Sequence, residues 1–423
     1  MLDVRAVRED PERFRAGLAR RNLGRAVDEL LEADERRRSL TARVEELRAE
    51  QNRLSKQIGG AEGDAKSALI AEVGGVSAEL KELEPQLAEA ERGLSELLAR
   101  TPNVPHESAP DGFEEVDAVE IRRHGDPRAF DFEPRDHVEL GTILGVLDTE
   151  RGARTSGSRF VYLLGDIVHL QFALVRHALE VIGEAGFIPV VPPVLVREEA
   201  MYGTGFLPTD EVNIYVTRED DLYLVGTSEV PLAALHMGEI LEESELPLLY
   251  AGYSTCFRRE AGSYGKDLGG MFRVHQFDKV EMFAFTAPEE SWDVHERMVA
   301  IEEEIVASLE LPYRVVNVAA GDLGGSAAKK YDIEVWLPGQ DRYRELTSCS
   351  NCTDYQARRM QTRVRRSSGE IEVLHTLNGT ATAIGRTLIA LMENHQQADG
   401  SVALPKALHA HLPEALRELH PRA

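Results

Sequence analysis

Between residues 26 and 100 the chain keeps one rhythm. From Leu40, apolar or neutral positions fall at Leu40, Val44, Leu47, Gln51, Leu54 and Ile58, in alternating steps of four and three. The run Gly59-Gly60-Ala61-Glu62-Gly63-Asp64 interrupts it, and it returns at Leu69, Val73, Val76, Leu80, Leu83, Leu87, Ala90, Leu94 and Leu97. Such steps flanked by charge are a heptad seam, so the pattern predicts two helices zipped together as an antiparallel coiled-coil hairpin. At ~1.5 Å per residue, some 35 residues per helix make an arm about 50 Å long. Pro85 falls inside the second helix and should remove one hydrogen bond and kink it locally. A seam satisfied internally leaves no apolar stripe for another helix, which favours an arm that touches a partner with its polar face. A spacer or dimerisation element is the equally weighted alternative.

Thr101-Pro102-Asn103-Val104-Pro105-His106 ends the hairpin, and an acidic linker with Pro and Gly follows over residues 106–115. Beyond it the pattern changes. Short β-branched and aromatic runs at 221–225, 270–274, 279–285 and 313–316 predict strands, with helical stretches at about 166–185, 288–309 and 383–394. Pro288, Glu289 and Glu290 suit the first turn of the second of these helices. Strands without a regular βαβ alternation predict an α+β domain, an antiparallel sheet with helices packed on it. No GxGxxG or GxxxxGK[ST] loop occurs, so any nucleotide must be held by another geometry.

With 423 residues, two or three domains are the natural division. A net charge of −25 argues against nonspecific nucleic-acid binding, which depends on neutralising phosphates. Residues 13–56 nevertheless hold twelve Arg and Lys against eight Asp and Glu, so RNA contact would be confined to a patch. No apolar run reaches the ~18–20 residues that span a bilayer. The start Met1-Leu2-Asp3-Val4-Arg5 lacks the apolar stretch of a signal peptide. Three cysteines, an odd count, argue for a reducing compartment, and the expectation is a cytoplasmic protein without a membrane partner.

Three clusters carry candidate chemistry. Phe257-Arg258-Arg259-Glu260-Ala261-Gly262-Ser263, then a glycine-broken loop and Phe272-Arg273-Val274-His275-Gln276-Phe277, reads as strand, loop, strand. Arginine on phosphate, glutamate on an exocyclic amine and an aromatic on the base would grip a nucleotide, while an edge hairpin with solvated arginines reads equally well. In Tyr343-Arg344-Glu345-Leu346-Thr347-Ser348-Cys349-Ser350-Asn351-Cys352, an extended strand puts Glu345 and Thr347 on one face and Ser348 on the other unless the strand bends. Such oxygen donors suit Mg²⁺ bridging a triphosphate, or they simply face water. Cys349 and Cys352 lack the second ligand pair a structural zinc usually needs. Leu377-Asn378-Gly379-Thr380 is followed by Ala383-Ile384-Gly385-Arg386-Thr387, which opens an apolar helix. A lone arginine on such a helix is normally solvated, but Arg386 lies in the glycine-marked first turn, where a helix N-terminus and a guanidinium can both face a phosphate.

With Gly226-Thr227-Ser228-Glu229-Val230-Pro231, these clusters resemble the signatures of class II aminoacyl-tRNA synthetases, and within them the bacterial-type seryl-tRNA synthetase family. The resemblance covers essentially the whole chain, since that family also opens with a long antiparallel coiled coil. It implies a tRNA-binding domain over 1–105 with the hairpin at about 26–100, a linker over 106–115 and a class II catalytic domain over 116–423. The implied reaction joins L-serine and ATP into seryl-adenylate, then transfers serine to the terminal adenosine of tRNA(Ser), with tRNA(Sec) open as a second acceptor. Thr227, Ser228, Glu229, Glu281, Asn378 and Thr380 would line the serine pocket, Glu229 or Glu281 meeting the ammonium. ATP would fall to Arg258, Arg259, Glu260, Val274 and Phe277, and to Glu345, Leu346, Thr347, Ser348 and Arg386. Among these Arg258, Glu345 and Arg386 carry the catalytic roles: Arg258 on the α-phosphate, Arg386 on the γ-phosphate, and Glu345 with Ser348 on Mg²⁺. Glu260 would take the adenine amine and Phe277 the adenine face. Arg36, Arg37, Arg38, Arg43, Arg48 and Arg53 are where tRNA phosphates would sit. The segment 184–196, with Pro189, Pro192 and Pro193, resembles the family's dimer-forming signature and implies a homodimer.

Two departures stand out. The family usually has Thr-Arg where this chain has Leu268-Gly269, near the tRNA acceptor end, so transfer depends less on that loop here or is altered. Gly-Leu often follows Thr380, where this chain has Ala381-Thr382. Three rival readings remain: a duplicated paralogue serving antibiotic resistance or biosynthesis, a noncatalytic coiled-coil protein with a synthetase-like fold, and a threonine enzyme. The last lacks the Cys and His zinc set that its family uses.

Overall fold

The computed structural model describes residues 1–261 and 269–422. It divides into two compact units, Leu2–Pro102 and Asn103–Ala423, the second also counting Met1. No helix among the described residues is long and apolar enough to cross a membrane.

In the N-terminal unit, short helices at Val4–Glu9 and Pro11–Ala19 precede two long ones, α1 (Ala26–Ile58) and α2 (Gly63–Arg100). The heptad seam is buried where it was expected to be. Val44, Leu47 and Leu80 are buried with Val76, Leu83 and Leu87 packed against them. Gln51, the polar position in the seam, donates from Nε2 to Ser77 Oγ at 2.9 Å and so keeps its polarity satisfied. α2 runs as one helix through Pro85. Across the hairpin Arg43 Nη2 meets Glu79 at 2.6 Å and Arg48 Nη2 meets Glu84 at 2.8 Å. Arg37 pairs with Asp34 at 2.8 Å and Arg53 Nε with Glu50 at 2.8 Å along α1. α2 carries eight Asp and Glu against four Lys and Arg. The basic balance counted over residues 13–56 comes from the arginines before α1. α1 itself holds seven Arg and Lys against eight Asp and Glu, and two of those arginines are further paired by α2, which only the structure makes visible.

In the second unit eight strands form one sheet: β1 (Val119–His124), β2 (Ile188–Val190), β3 (Leu248–Phe257), β4 (Gln276–Thr286), β5 (Tyr313–Asn317), β6 (Lys329–Leu337), β7 (Arg342–Thr353) and β8 (His375–Ala383). Their order is β1-β5-β6-β7-β8-β4-β3-β2. Neighbours are antiparallel except β2 with β3. The period-two pattern explains the layering: Tyr331, Ile333, Val335 and Leu337 of β6 are buried, while Lys330 and Asp332 face the other way. Helices α3 (Asp166–Glu184), α4 (Ser291–Ser308) and α5 (Ile384–His395) cover the apolar face. Leu174, Met298 and Leu391 of these helices share one core with Met282, Ile333 and Leu377 of the sheet. This is the α+β architecture expected, an antiparallel sheet flanked by helices beside a coiled-coil arm.

Three expectations about elements fail. Residues 270–273 are turn and bend, Val274 is irregular, and β4 begins only at Gln276. Gly270 has φ +70°, and a Cβ there would lie 2.1 Å from His137 Nε2. The Met271 N–H donates to that same nitrogen at 3.3 Å, while His137 Nδ1 lies 3.0 Å from Glu393 Oε1. A buried side chain far away in sequence, not a ladder partner, holds this backbone. Within 221–225 only Tyr223–Leu224 is strand, in a separate small sheet. The 288–309 helix opens as a 3₁₀ turn, Pro288–Glu290.

Candidate active site

The open face of the sheet, with the Gly270–Val274 turn and the start of α5, encloses a cavity of about 270 Å³. Five cations line it: Arg258, Arg273, Lys279, Lys330 and Arg386. Among the described residues only two carboxylates, Glu260 and Glu345, do so. Such a surplus in a confined space suits a polyanion of nucleotide size.

The cations are fixed by their surroundings. Arg258 leaves the end of β3, donates from Nε to the Gly226 carbonyl at 3.1 Å and stacks on Phe277 at 5.3 Å. Arg386, in the first turn of α5, donates from Nη1 to the Glu345 carbonyl at 2.8 Å and lies 3.2 Å from Glu345 Oε2. Phe272 stacks under both Arg386, at 4.7 Å, and Arg344, at 3.9 Å. Glu260 has a left-handed φ of +50° and accepts from Arg273 Nη1 at 2.6 Å. Backbone held in that region is a strain that surrounding contacts must sustain.

A bulge decides which oxygens face the cavity. Ile333 pairs with Thr347 but Glu334 pairs with Glu345, so β7 carries one extra residue here. The extra residue shifts the alternation, and Glu345 and Ser348 line the cavity together, against the simple expectation for an extended strand. Thr347 borders the cavity, yet its hydroxyl donates inward to Glu302 Oε2 at 2.8 Å. Burial pushes Glu345 up, but Lys330 and Arg386 outweigh it and hold the carboxyl well below the usual range. An ionised carboxylate beside a hydroxyl fits a Mg²⁺ that draws its other ligands from phosphate oxygens and water. No set of three or more His, Cys, Asp or Glu able to hold a metal alone occurs among the described residues. Cys256, Cys349 and Cys352 are free and buried.

Behind the cavity lies a second polar group, in the core of the sheet. Glu229 Oε1 accepts from Gln356 Nε2 at 2.7 Å and from Asn378 Nδ2 at 3.0 Å. Burial, then the charge of Glu281, push its carboxyl up to about 7. Glu281 pairs with Lys279 and accepts from Thr380 Oγ1 at 3.2 Å, its ladder partner. Thr227 Oγ1 accepts the Glu229 N–H at 3.2 Å and so shapes that turn. Ser228 Oγ bonds Ser254 Oγ at 2.7 Å, which engages its hydroxyl inside the protein.

Most residues singled out from sequence therefore converge. Arg258, Glu260, Val274, Phe277, Glu345, Leu346, Thr347, Ser348, Thr380 and Arg386 border the cavity. Arg259 does not: it lies past the end of β3, is exposed and sits over Tyr215 at 6.0 Å, its N–H donating to the Asn213 carbonyl at 2.9 Å. Ser263 and Leu268 fall outside the described residues. Ala381 and Thr382 are buried strand residues, and the Thr382 hydroxyl donates to the Ala381 carbonyl at 2.7 Å. Sequence reasoning missed Lys279, Lys330 and Gln356. Lys279 is two residues from Glu281, and Lys330 stands opposite the apolar alternation from Tyr331 to Leu337, a signal that could have found both. Gln356 had no such signal.

Known proteins share this fold. Residues 213–395 match the family model for the tRNA synthetase class II core domain (G, H, P, S and T), and residues 1–105 that for the seryl-tRNA synthetase N-terminal domain. A serine–tRNA ligase of Streptomyces coelicolor is 52% identical, covering 97% of each chain. The crystal structure of seryl-tRNA synthetase from Pyrococcus horikoshii complexed with ATP superposes with a TM-score of 0.94 at 42% identity, covering 100% of both chains. The cytoplasmic serine–tRNA ligase of Naegleria fowleri in complex with AMP gives 0.88 at 34% identity, covering 100% of this chain and 99% of that one.

Proposed function

The chain belongs to the seryl-tRNA synthetase family, and from that premise we propose that its cavity joins L-serine to ATP while its N-terminal unit engages the acceptor tRNA. One observation carries the catalytic part: five cations line a nucleotide-sized cavity whose inner end, at Lys279 and Thr380, connects to the buried pair Glu281 and Glu229. Serine enters with its ammonium toward Glu229, because Glu281 already holds a cation in Lys279. Its hydroxyl meets Thr380 and Glu281. This pocket is a set of polar groups that only a hydroxyl satisfies.

Serine's carboxylate is already ionised, so no general base is needed. It attacks the α-phosphorus in line, the bond to the bridging oxygen breaks, and pyrophosphate leaves. Catalysis is then positioning and charge neutralisation. Arg258 holds the α-phosphate, Phe277 the adenine face, Glu260 the adenine amine and Arg386 the γ-phosphate. Mg²⁺ on Glu345 and Ser348 would neutralise phosphate oxygens. In the second step a ribose hydroxyl of the terminal adenosine attacks the seryl carbonyl and AMP leaves.

The division of labour follows the chain: residues 1–105 for tRNA(Ser), 106–115 as linker and 116–423 for catalysis, in the cytoplasm. A homodimer is supported by apolar side chains left open on α3 and the edge strand β2 and just past it: Phe172 is 53% exposed, Ile188 53% and Val191 84%. ATP–pyrophosphate exchange with each small amino acid tests the reading. Serine should support it, and alanine should fall short by roughly 10⁴–10⁵ because the pocket's polar groups go unpaired. Comparable rates for the two would overturn the pocket.

A further inference from the structure

Lys330 enters the cavity from β6 on the face opposite the buried Tyr331 and Ile333. Its Nζ lies 3.1 Å from Asp332 Oδ1, and Asp332 stands directly across the ladder from Ser348. The charges of Asp332, Glu345 and Asp322 all act on this one ammonium. The ammonium also lines the same wall as Glu345, Ser348 and Arg386, so it is within the cavity as well as beside Asp332. Without it, the wall at Glu345 and Ser348 would keep Arg386, whose guanidinium is already engaged by Glu345, so an incoming triphosphate would depend more on a divalent ion there.

We propose that Lys330 is a built-in cation of the ATP site, its ammonium contacting the phosphate tail beside Glu345 and Ser348 and lowering the amount of divalent metal the enzyme needs to hold ATP. This rests on the assignment of the cavity to ATP. Lysine suits the task as a compact point charge on a flexible stem, able to leave Asp332 for a phosphate oxygen without moving the strand.

Calorimetric titration of ATP into the full-length protein, without serine, tests it from chelator-limited to millimolar free Mg²⁺. The wild type should bind ATP even where Mg²⁺ is scarce. Lys330→Gln should raise the Kd about tenfold there, the loss of one charge-assisted contact, and the gap should close as Mg²⁺ rises. Lys330→Arg should keep most of the affinity. Asp332→Asn, which leaves the ammonium in place, should bind ATP at low Mg²⁺ at least as well as the wild type. An equal gap for Lys330→Gln at every Mg²⁺ concentration, no gap, or a loss with Asp332→Asn matching that of Lys330→Gln would each overturn the proposal. A wild type that binds no ATP at any Mg²⁺ concentration would overturn the cavity assignment and the proposal with it.

Discussion

If the serine ammonium sits on Glu229 as proposed, serine binding should depend on pH near neutrality. Its carboxyl is buried and pushed up to about 7, by desolvation first and by Glu281 second. A raised carboxyl pKa means that the folded protein binds this proton more tightly than the unfolded chain does. The stabilising contribution is present below the ordinary carboxylate range and is lost as pH rises through about 7. Serine reverses the preference, because an ammonium beside Glu229 favours the ionised form. Binding therefore competes with protonation, and the apparent KM for serine scales as one plus the ratio of protonated to ionised Glu229. Between pH 7.5 and pH 6 that factor grows from about 1.3 to about 11, roughly an eightfold rise. The assay is serine-dependent ATP–pyrophosphate exchange at saturating ATP across that range. The KM for ATP should stay level, since the nucleotide residues lie outside this pair. Glu229→Gln should show a raised serine KM with no slope between these pH values. A wild-type serine KM that is flat over the same interval would refute the reasoning.

Arg258→Ala and Arg386→Ala should each slow adenylate formation by on the order of 10²–10³, read by single-turnover kinetics, because each removes a preorganised charge at the phosphates. Either variant with full activity would take that arginine out of the site. Gly270→Ala should cost about 1–3 kcal/mol in thermal unfolding, since φ is +70° and the new Cβ would sit 2.1 Å from His137 Nε2. It should also raise the KM for ATP, because Met271 and Phe272 follow directly. Deleting residues from about 36 to 94 should leave pyrophosphate exchange intact and collapse tRNA charging, as measured with serine tRNA. Charging by the intact enzyme should weaken with salt at about 0.7–0.9 in log–log slope per phosphate contact.

The hairpin was legible because its information is local. Seam residues such as Val44 and Leu80 meet through a glycine turn, and heptad spacing is a property of each helix separately. That Arg258, Glu345 and Arg386 meet at one cavity was legible for a related reason, since each sits in a short string whose wording is distinctive. Wording alone, however, could not show that Arg259 lies over Tyr215 or that the Ser228 hydroxyl is bonded to Ser254.

What the sequence by itself determined was the set of elements and most of the charges brought to one wall. Periodicity and short-range spacing specify which face of a helix or strand a side chain occupies, provided the element is regular. Only the tertiary structure decided where regularity fails. The bulge opposite Ile333 and Glu334 moved Ser348 to the side of Glu345 and sent the Thr347 hydroxyl to Glu302. The tether from Met271 to His137 replaced a predicted strand with a turn. The glutamates of α2 neutralised arginines that looked available along α1. In each case the deciding partner lies far away in sequence; at the bulge and the tether a buried polar group must find a partner wherever the fold supplies one, because leaving it unpaired costs more than bending the backbone that carries it.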